Sequence, residues 1–368
     1  MRAAGRTPPP APEGSPGHDG VGSDPSHLSA WVGGIASSFD RAADASGLVE
    51  LQIRLAGAPV RVRSAGPAML EQLGPALRHL KDDSGELPVL TISTWDSHAA
   101  CLDAPPLPAT DPDEPRGAVF YADDPPRQVA YQPGLSQLSA YDADDGSAWF
   151  WCRSAADLPF WEPAAPFRQI FHWWLARRGL MLLHGAAVGL REGGVLLVGR
   201  GGSGKSTCAL AALTSNLLYA GDDYVAVGQE PDPYVSSLYC SGKLEPGHAK
   251  VLSHLPPPSF EGDGSPEEKA VFYVSDRFPE RMCDGFPLRA VLVPRIRGSE
   301  PRIVPVAPGE ALRALAPSTL LQLHPARPQA LTGMARLLQR VPAYALEVGG
   351  PIELIPRAIE RLLGELNE

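Results

Sequence analysis

Gly199-Arg200-Gly201-Gly202-Ser203-Gly204-Lys205-Ser206 is a complete G-x-x-x-x-G-K-[ST] loop, and its flanks have the composition such a loop needs. Ahead of it, Val195-Leu196-Leu197-Val198 is a short apolar run suited to a buried parallel strand. Behind it, residues 207–213 (Thr-Cys-Ala-Leu-Ala-Ala-Leu) are good helix formers. Strand, glycine loop and helix in that order point successive backbone N–H groups and a helix N-terminus at one anion. The glycines permit backbone angles that a Cβ forbids and let the main chain approach a phosphate closely. Gly199, Gly201, Gly202, Ser203, Gly204, Lys205, Ser206 and Thr207 are therefore the expected nucleotide-binding residues. Lys205 is expected to reach the β- and γ-phosphates, and the Ser206 hydroxyl to ligate Mg²⁺. The chain is read as binding a nucleoside triphosphate.

Composition narrows the remaining choices. The 368 residues leave room for about two domains with an adequate core. Hydrophobic content of 44% and charged content of 20% are those of a globular protein. A net charge of −10 argues against a broad nucleic-acid footprint, which needs a basic face. The five cysteines (101, 152, 208, 240, 283) are odd in number and widely spaced, with no C-x-x-C pair. They give neither a disulfide framework nor a zinc site and fit a reducing cytoplasm. Cys208, just after the loop, reads as small helix packing. No apolar run approaches the length of a membrane span, so no membrane partner is expected.

Residues 1–28 are dominated by Pro, Gly, Ser and Ala, lack the apolar segment of a targeting signal, and read as a disordered tail. Residues 29–165 read as a small α+β domain of short strands with one helix. Val49, Leu51, Ile53 and Leu55 alternate with polar residues, and further strands are expected at 60–62, 89–95, 118–121 and 128–131. A helix over 67–80 should be kinked at Pro75. Residues 102–116, rich in Pro and Asp, read as an exposed loop. Residues 166–368 read as the catalytic domain, opened by a helix over 166–179 from whose apolar stripe Trp173 departs, so that it is free to pack against the first domain. Strands are expected at 180–184, 186–190, 195–198, 217–220, 235–240, 288–296 and 344–348, and helices at 308–315, 329–340 and 355–366. Residues 253–268 read as a mobile loop.

Phosphoryl transfer needs a metal anchor, a group to handle the acceptor proton, and charge compensation. Asp222-Asp223, 17 residues after Lys205 at the end of an apolar strand, is the candidate for the first two. Two Asp beside a Gly are also common in turns, and the position after the loop helix and one strand favours the functional reading. Adjacent strand-end residues point opposite ways, so the two carboxylates need not share one job. His184, 15 residues ahead of the loop, gains interest from this company.

His184-Gly185, the loop at 199–206 and Asp222-Asp223 resemble, in order and spacing, the catalytic domain of HPr kinase/phosphorylase, a P-loop group that also contains phosphoenolpyruvate carboxykinase. The resemblance is greater to the HPr-kinase-like serine kinases of bacterial gene clusters, including those that modify lasso peptide precursors. It is carried by His-Gly-Ala-Ala-Val at 184–188, Gly-Asp-Asp-Tyr-Val at 221–225, Lys243-Leu244, residues 315–319 and residues 341–344. It implies an α/β P-loop kinase domain preceded by a small α+β domain. It further implies that Asp222 handles the acceptor proton, that Asp223 with Ser206 holds Mg²⁺, and that His184 sits near the transferred phosphate. Lys243 is either a phosphate contact or a strand-end cation, and Arg277 either compensates charge from a loop or is a solvated surface residue. The bifunctional family's long glycine-rich signature after the Asp pair and its further C-terminal motif are not found, so neither phosphorolysis nor HPr as substrate is expected. The expectation is a cytoplasmic, ATP- and Mg²⁺-dependent kinase acting on a hydroxyl, with Ser of a protein or peptide as acceptor. On the resemblance alone it could be a homo-oligomer. The rivals are a carboxykinase-like enzyme acting on a small metabolite and a nucleotide-dependent binding module without transfer.

Overall fold

The computed structural model describes residues 25–108, 119–245, 252–260, 269–323, 325 and 328–367. Most of the expected tail lies outside these residues, but Pro25–Leu28 belong to a long helix, α1 (Pro25–Ser46). Leu28, Val32, Ile35, Phe39 and Ala42 recur at helical spacing and are buried, so this segment has an apolar stripe that offsets the cost of ordering it. The expected loops at 102–116 and 253–268 lie partly outside the described residues; the described parts, 102–108 and 253–260, carry no helix and no strand longer than an isolated bridge.

Seven strands form the first sheet: β1 (Leu48–Leu55), β2 (Ala58–Ala65), β3 (Leu90–Asp96), β4 (Phe120–Asp124), β5 (Arg127–Gln132), β6 (Gln137–Asp142) and β7 (Ser147–Cys152). Their order is β1-β2-β3-β7-β6-β5-β4, with β3 parallel to both neighbours and the other pairs antiparallel. Helix α2 (Ala68–Leu73) gives way at Gly74-Pro75 to a 3₁₀ turn (Gly74–Leu80), the break expected at Pro75. One face of the sheet is covered by α1, which packs on Trp95, Leu138 and Trp151.

The opposite face meets the second half of the chain. Helix α3 (Arg168–Arg177) buries Ile170, Phe171, Trp173 and Trp174. Trp173 meets Tyr121 of β4 with ring centroids 6.2 Å apart, the contact its place off the stripe foreshadows. Then follow β8 (Met181–His184), β9 (Ala186–Leu190), β10 (Gly193–Leu197), α4 (Lys205–Ala211), β11 (Leu218–Gly221), β12 (Tyr224–Gly228), β13 (Tyr234–Ser236), β14 (Ser241–Leu244), β15 (Ala270–Tyr273), β16 (Gly285–Arg295), β17 (Arg302–Pro305), α5 (Pro308–Leu320), α6 (Pro328–Arg340), β18 (Ala343–Glu347) and α7 (Leu354–Asn367). The strand expected over 235–240 ends at Ser236: Leu238–Cys240 leave the ladder, and the Cys240 N–H donates to Ala76 O at 2.9 Å.

The centre of this larger sheet is parallel, β10-β16-β18. Strand β16 is long enough to pair with β13 at its start and with β10 and β18 further on, joining the antiparallel β8-β12-β13 arm to the centre. Both faces are covered, which is why β10 reads as a continuous apolar run. Val195 and Leu197 face α4 and α7, while Leu196 and Val198 face α5 and α6. The glycine loop therefore leaves the carboxyl end of a central strand in a mixed α/β layer architecture, where ligand crevices of open sheets form.

Candidate active site

The loop is shaped by backbone angles only glycine adopts freely: Gly202 has φ +73° and Gly204 φ +96°. Gly199 is needed for space, since a Cβ there would lie 2.5 Å from Ser203 Oγ. Lys205, the first residue of α4, is buried and folds back on the loop. Its ammonium donates to Gly199 O at 2.8 Å and Arg200 O at 3.2 Å. Burial lowers the Lys205 pKa, with Asp222 and Asp223 opposing. A cation held in a dry site by carbonyl groups is poised to exchange them for an anion.

Asp222 and Asp223 sit in the corner between β11 and β12. The Tyr224 N–H donates to Asp222 O at 2.8 Å across Asp223, whose φ is +69°. This is a γ-turn of the rare positive-φ kind, unusual for a non-glycine residue and strained by roughly 1–3 kcal/mol. The Gly185 N–H, donating to Asp223 O at 3.0 Å, helps to hold it. The turn sends the two carboxylates to different partners. Asp222, fully buried, accepts from Ser206 Oγ at 3.0 Å and from the Lys243 N–H at 3.1 Å. Asp223 accepts from His184 Nε2 at 3.1 Å and is ion-paired with the Lys243 ammonium. The resemblance implies that Ser206 works with Asp223; in the structure Ser206 is bonded to Asp222.

Electrostatics divide the pair in the same way. Burial and the neighbouring Asp223 push the Asp222 carboxyl above its ordinary value. Burial acts on Asp223 too, but the Lys243 ammonium and His184 outweigh it and hold that carboxyl well below the usual range. Asp223 accepts from the His184 ring through Nε2, and the ring's Nδ1 is buried with no partner among the described residues. The His184 backbone N–H donates to Thr319 Oγ1 at 3.1 Å, which anchors the end of β8 from α5.

A cavity of about 260 Å³ opens over the loop. It is lined by residues 201–208, His184, Asp223, Lys243 and Lys269, with Ile296, Val348, Ile352 and Ile355 on an apolar side. Ser203 Oγ, on the loop, is buried with no partner among the described residues. Of the residues expected at the site, Gly201, Gly202, Ser203, Gly204, Lys205, Ser206, Thr207, His184 and Asp223 line the cavity directly. Gly199 supports the loop from behind through the Lys205 bond, and Asp222 stands behind Ser206. Arg277 is exposed and does not line the cavity. Lys269 carries no sequence signal of its own, whereas Thr319 ends the stretch 315–319 that carries part of the resemblance; both reach the site from distant parts of the chain. Cys208 is buried against apolar neighbours, its thiol pushed up to about 12, which suits packing.

The donor set fits Mg²⁺. No cluster of three or more His, Cys, Asp or Glu side chains able to hold a metal occurs among the described residues, so a binding site made by protein alone is not present. Mg²⁺ instead favours one or two carboxylates together with substrate phosphates. Asp222 is a buried carboxylate beside a hydroxyl with no ion pair among the described residues, and a cation would offset the burial that raises its pKa.

No family model matches the chain, and no curated protein matches it in sequence. Among solved structures it is similar to the HPr(Ser) kinase/phosphatase from Coxiella burnetii, over 51% of this chain and 99% of that one, at 12% identity and a TM-score of 0.30. At that score nothing about the site is carried over from it. No described helix is long and apolar enough to cross a membrane.

Proposed function

We propose that the chain is an ATP-dependent phosphotransferase that moves a γ-phosphoryl group to a hydroxyl, with Ser of a protein or peptide as the acceptor. The observation that carries this reading is the division of the Asp pair, one carboxylate to the loop serine and the other to a histidine and a lysine. Ser206 and Asp222 would hold Mg²⁺, which when bound neutralises phosphate charge. Lys205 exchanges its loop carbonyls for phosphate oxygens, with the loop N–H groups and Lys243 and Lys269 adding positive potential. Asp223, partly open to the cavity and oriented by His184 and Lys243, takes the proton of the acceptor hydroxyl as the new O–P bond forms and the bond between the γ-phosphorus and the β-phosphate oxygen breaks, releasing ADP. The carboxylate roles are thus exchanged relative to those the resemblance implies. A cytoplasmic setting belongs to the same proposal and is supported by five unpaired cysteines.

The experiment is a magnesium titration of phosphate transfer from labelled ATP to Ser peptides. Asp222→Asn should need several-fold more Mg²⁺ and recover much of its rate at saturation. Asp223→Asn should keep the wild-type Mg²⁺ dependence and lose roughly 10²–10⁴-fold in rate. The opposite pattern would restore the roles that the resemblance implies.

A further inference from the structure

A second cavity, much larger than the one over the loop, lies where the first sheet meets the second. It encloses about 830 Å³. Leu182 and Leu183 of β8 with Thr319 and Leu323 form its floor, and Arg177 of α3 and Arg336 of α6 stand at its rim. Among the described residues no lining residue is Asp or Glu, although acidic residues outnumber basic ones 42 to 32 in the chain. Both arginines are exposed, and neither forms an ion pair among the described residues. An apolar floor between unneutralised cations is complementary to a segment that mixes apolar side chains with carboxylates. Its position joins it to the chemistry. Leu183 precedes His184 in β8, and Thr319 Oγ1 holds the His184 N–H at 3.1 Å. A chain lying on this floor rests against the strand that ends at His184, which bonds Asp223.

We infer that this groove docks the acceptor polypeptide, through an acidic and apolar segment near the hydroxyl that receives the phosphate. The inference rests on the reading of the site as a kinase for a peptide hydroxyl. Docking remote from the reacting atoms supplies binding energy that positions the hydroxyl, while the rim arginines set partner charge and encounter rate.

The test uses the full chain, a short fluorescent peptide of alternating Glu and Leu around one Ser, and its Lys-for-Glu counterpart. Fluorescence anisotropy of the wild type should favour the Glu peptide by about tenfold or more, with the preference weakening as salt is added. The double variant Arg177→Glu/Arg336→Glu should lose or invert that preference. Both positions are exposed, so circular dichroism and ATP affinity should be unchanged. In the transfer assay the same variant should raise the KM for the Glu peptide about tenfold with kcat little altered. Equal binding of the two peptides by the wild type, an unaltered preference in the variant, or displacement of the peptide by a short oligonucleotide with comparable affinity would overturn the proposal. The two readings fail separately. Charge-dependent peptide binding without any transfer to Ser refutes the kinase and leaves the groove, whereas transfer to Ser peptides that ignores both arginines refutes the groove alone.

Discussion

At φ +69°, Asp223 turns away from the direction Asp222 takes, and Lys243 then meets both: its N–H binds the Asp222 carboxylate and its ammonium the Asp223 carboxylate. Lys243→Ala keeps the N–H and removes the ammonium. It should weaken ATP binding only several-fold, while transfer falls roughly 10–100-fold because Asp223 loses the ammonium that orients it and the transferring group loses a compensating charge; isothermal calorimetry and the transfer assay separate the two effects. The Asp pair and its spacing from Lys205 are legible in the sequence. Which carboxylate bonds Ser206 and which bonds His184 is not, because a single backbone angle and a lysine from β14 set those partners. A second residue-scale effect concerns acid stability. His79 is bonded to Ser237 Oγ at 2.7 Å through Nε2, and burial brings its pKa down to about 3 from 6.5. The unfolded chain therefore binds a proton there that the folded chain refuses, so stability contributed by neutral His79 is present above about pH 6.5 and is lost as pH falls toward 3. Unfolding free energies from denaturant titrations at pH 7 to 4 should fall less in His79→Gln than in the wild type, by on the order of 1–3 kcal/mol across that range. Parallel curves would remove His79 as the cause.

The glycine loop and its flanking strand and helix were readable because each local signal agrees with the others: an apolar run, glycines where φ is positive, then helix formers. Gly204→Ala tests that reading at the level of the loop. A Cβ there would meet nothing closer than Pro294 Cβ at 3.9 Å, so the cost is backbone angle and not crowding. The expected penalty of roughly 1–2 kcal/mol should appear as about tenfold weaker ATP binding, with a thermal midpoint shifted by only a few degrees. Elsewhere local and tertiary signals disagree. Helix α1 carries Gly33-Gly34 and several serines, poor helix formers, and is fixed by packing on Trp95 and Trp151 of the first sheet. Strands β6 and β7 are buried on both faces, so Leu138 and Tyr141, or Trp149 and Phe150, give no alternation to read. Burial from distant partners decided all of these.

Across the whole molecule one of the hydrophobic clusters is shared by the two sheets. A single buried cluster runs from Ile53, Leu77 and Phe150 through Phe167, Phe171 and Trp174 to Leu182, Tyr224 and Tyr239. The boundary expected at 165/166 therefore crosses continuous apolar packing. Calorimetry should record one unfolding transition, with tryptophan fluorescence and far-ultraviolet ellipticity coincident. Residues 166–368 produced alone would uncover Phe167, Phe171 and Trp173 and should be aggregation-prone. Two resolved transitions, or a well-behaved isolated fragment, would show that the halves are thermodynamically separate. The same joint closes the groove, which Pro125 and Gln128 of the first half line together with residues of the second half, beside the strand that carries His184, so transfer is expected of the intact chain. Mass spectrometry of a pool of Ser peptides incubated with the full chain, ATP and Mg²⁺ tests this most directly. The wild type should add one phosphoryl group to Ser, and Asp223→Asn should bind ATP as tightly yet leave the peptides unmodified. Phosphopeptide formed by Asp223→Asn at the wild-type rate, or ATP consumed by the wild type with no peptide modified, would refute the proposed chemistry.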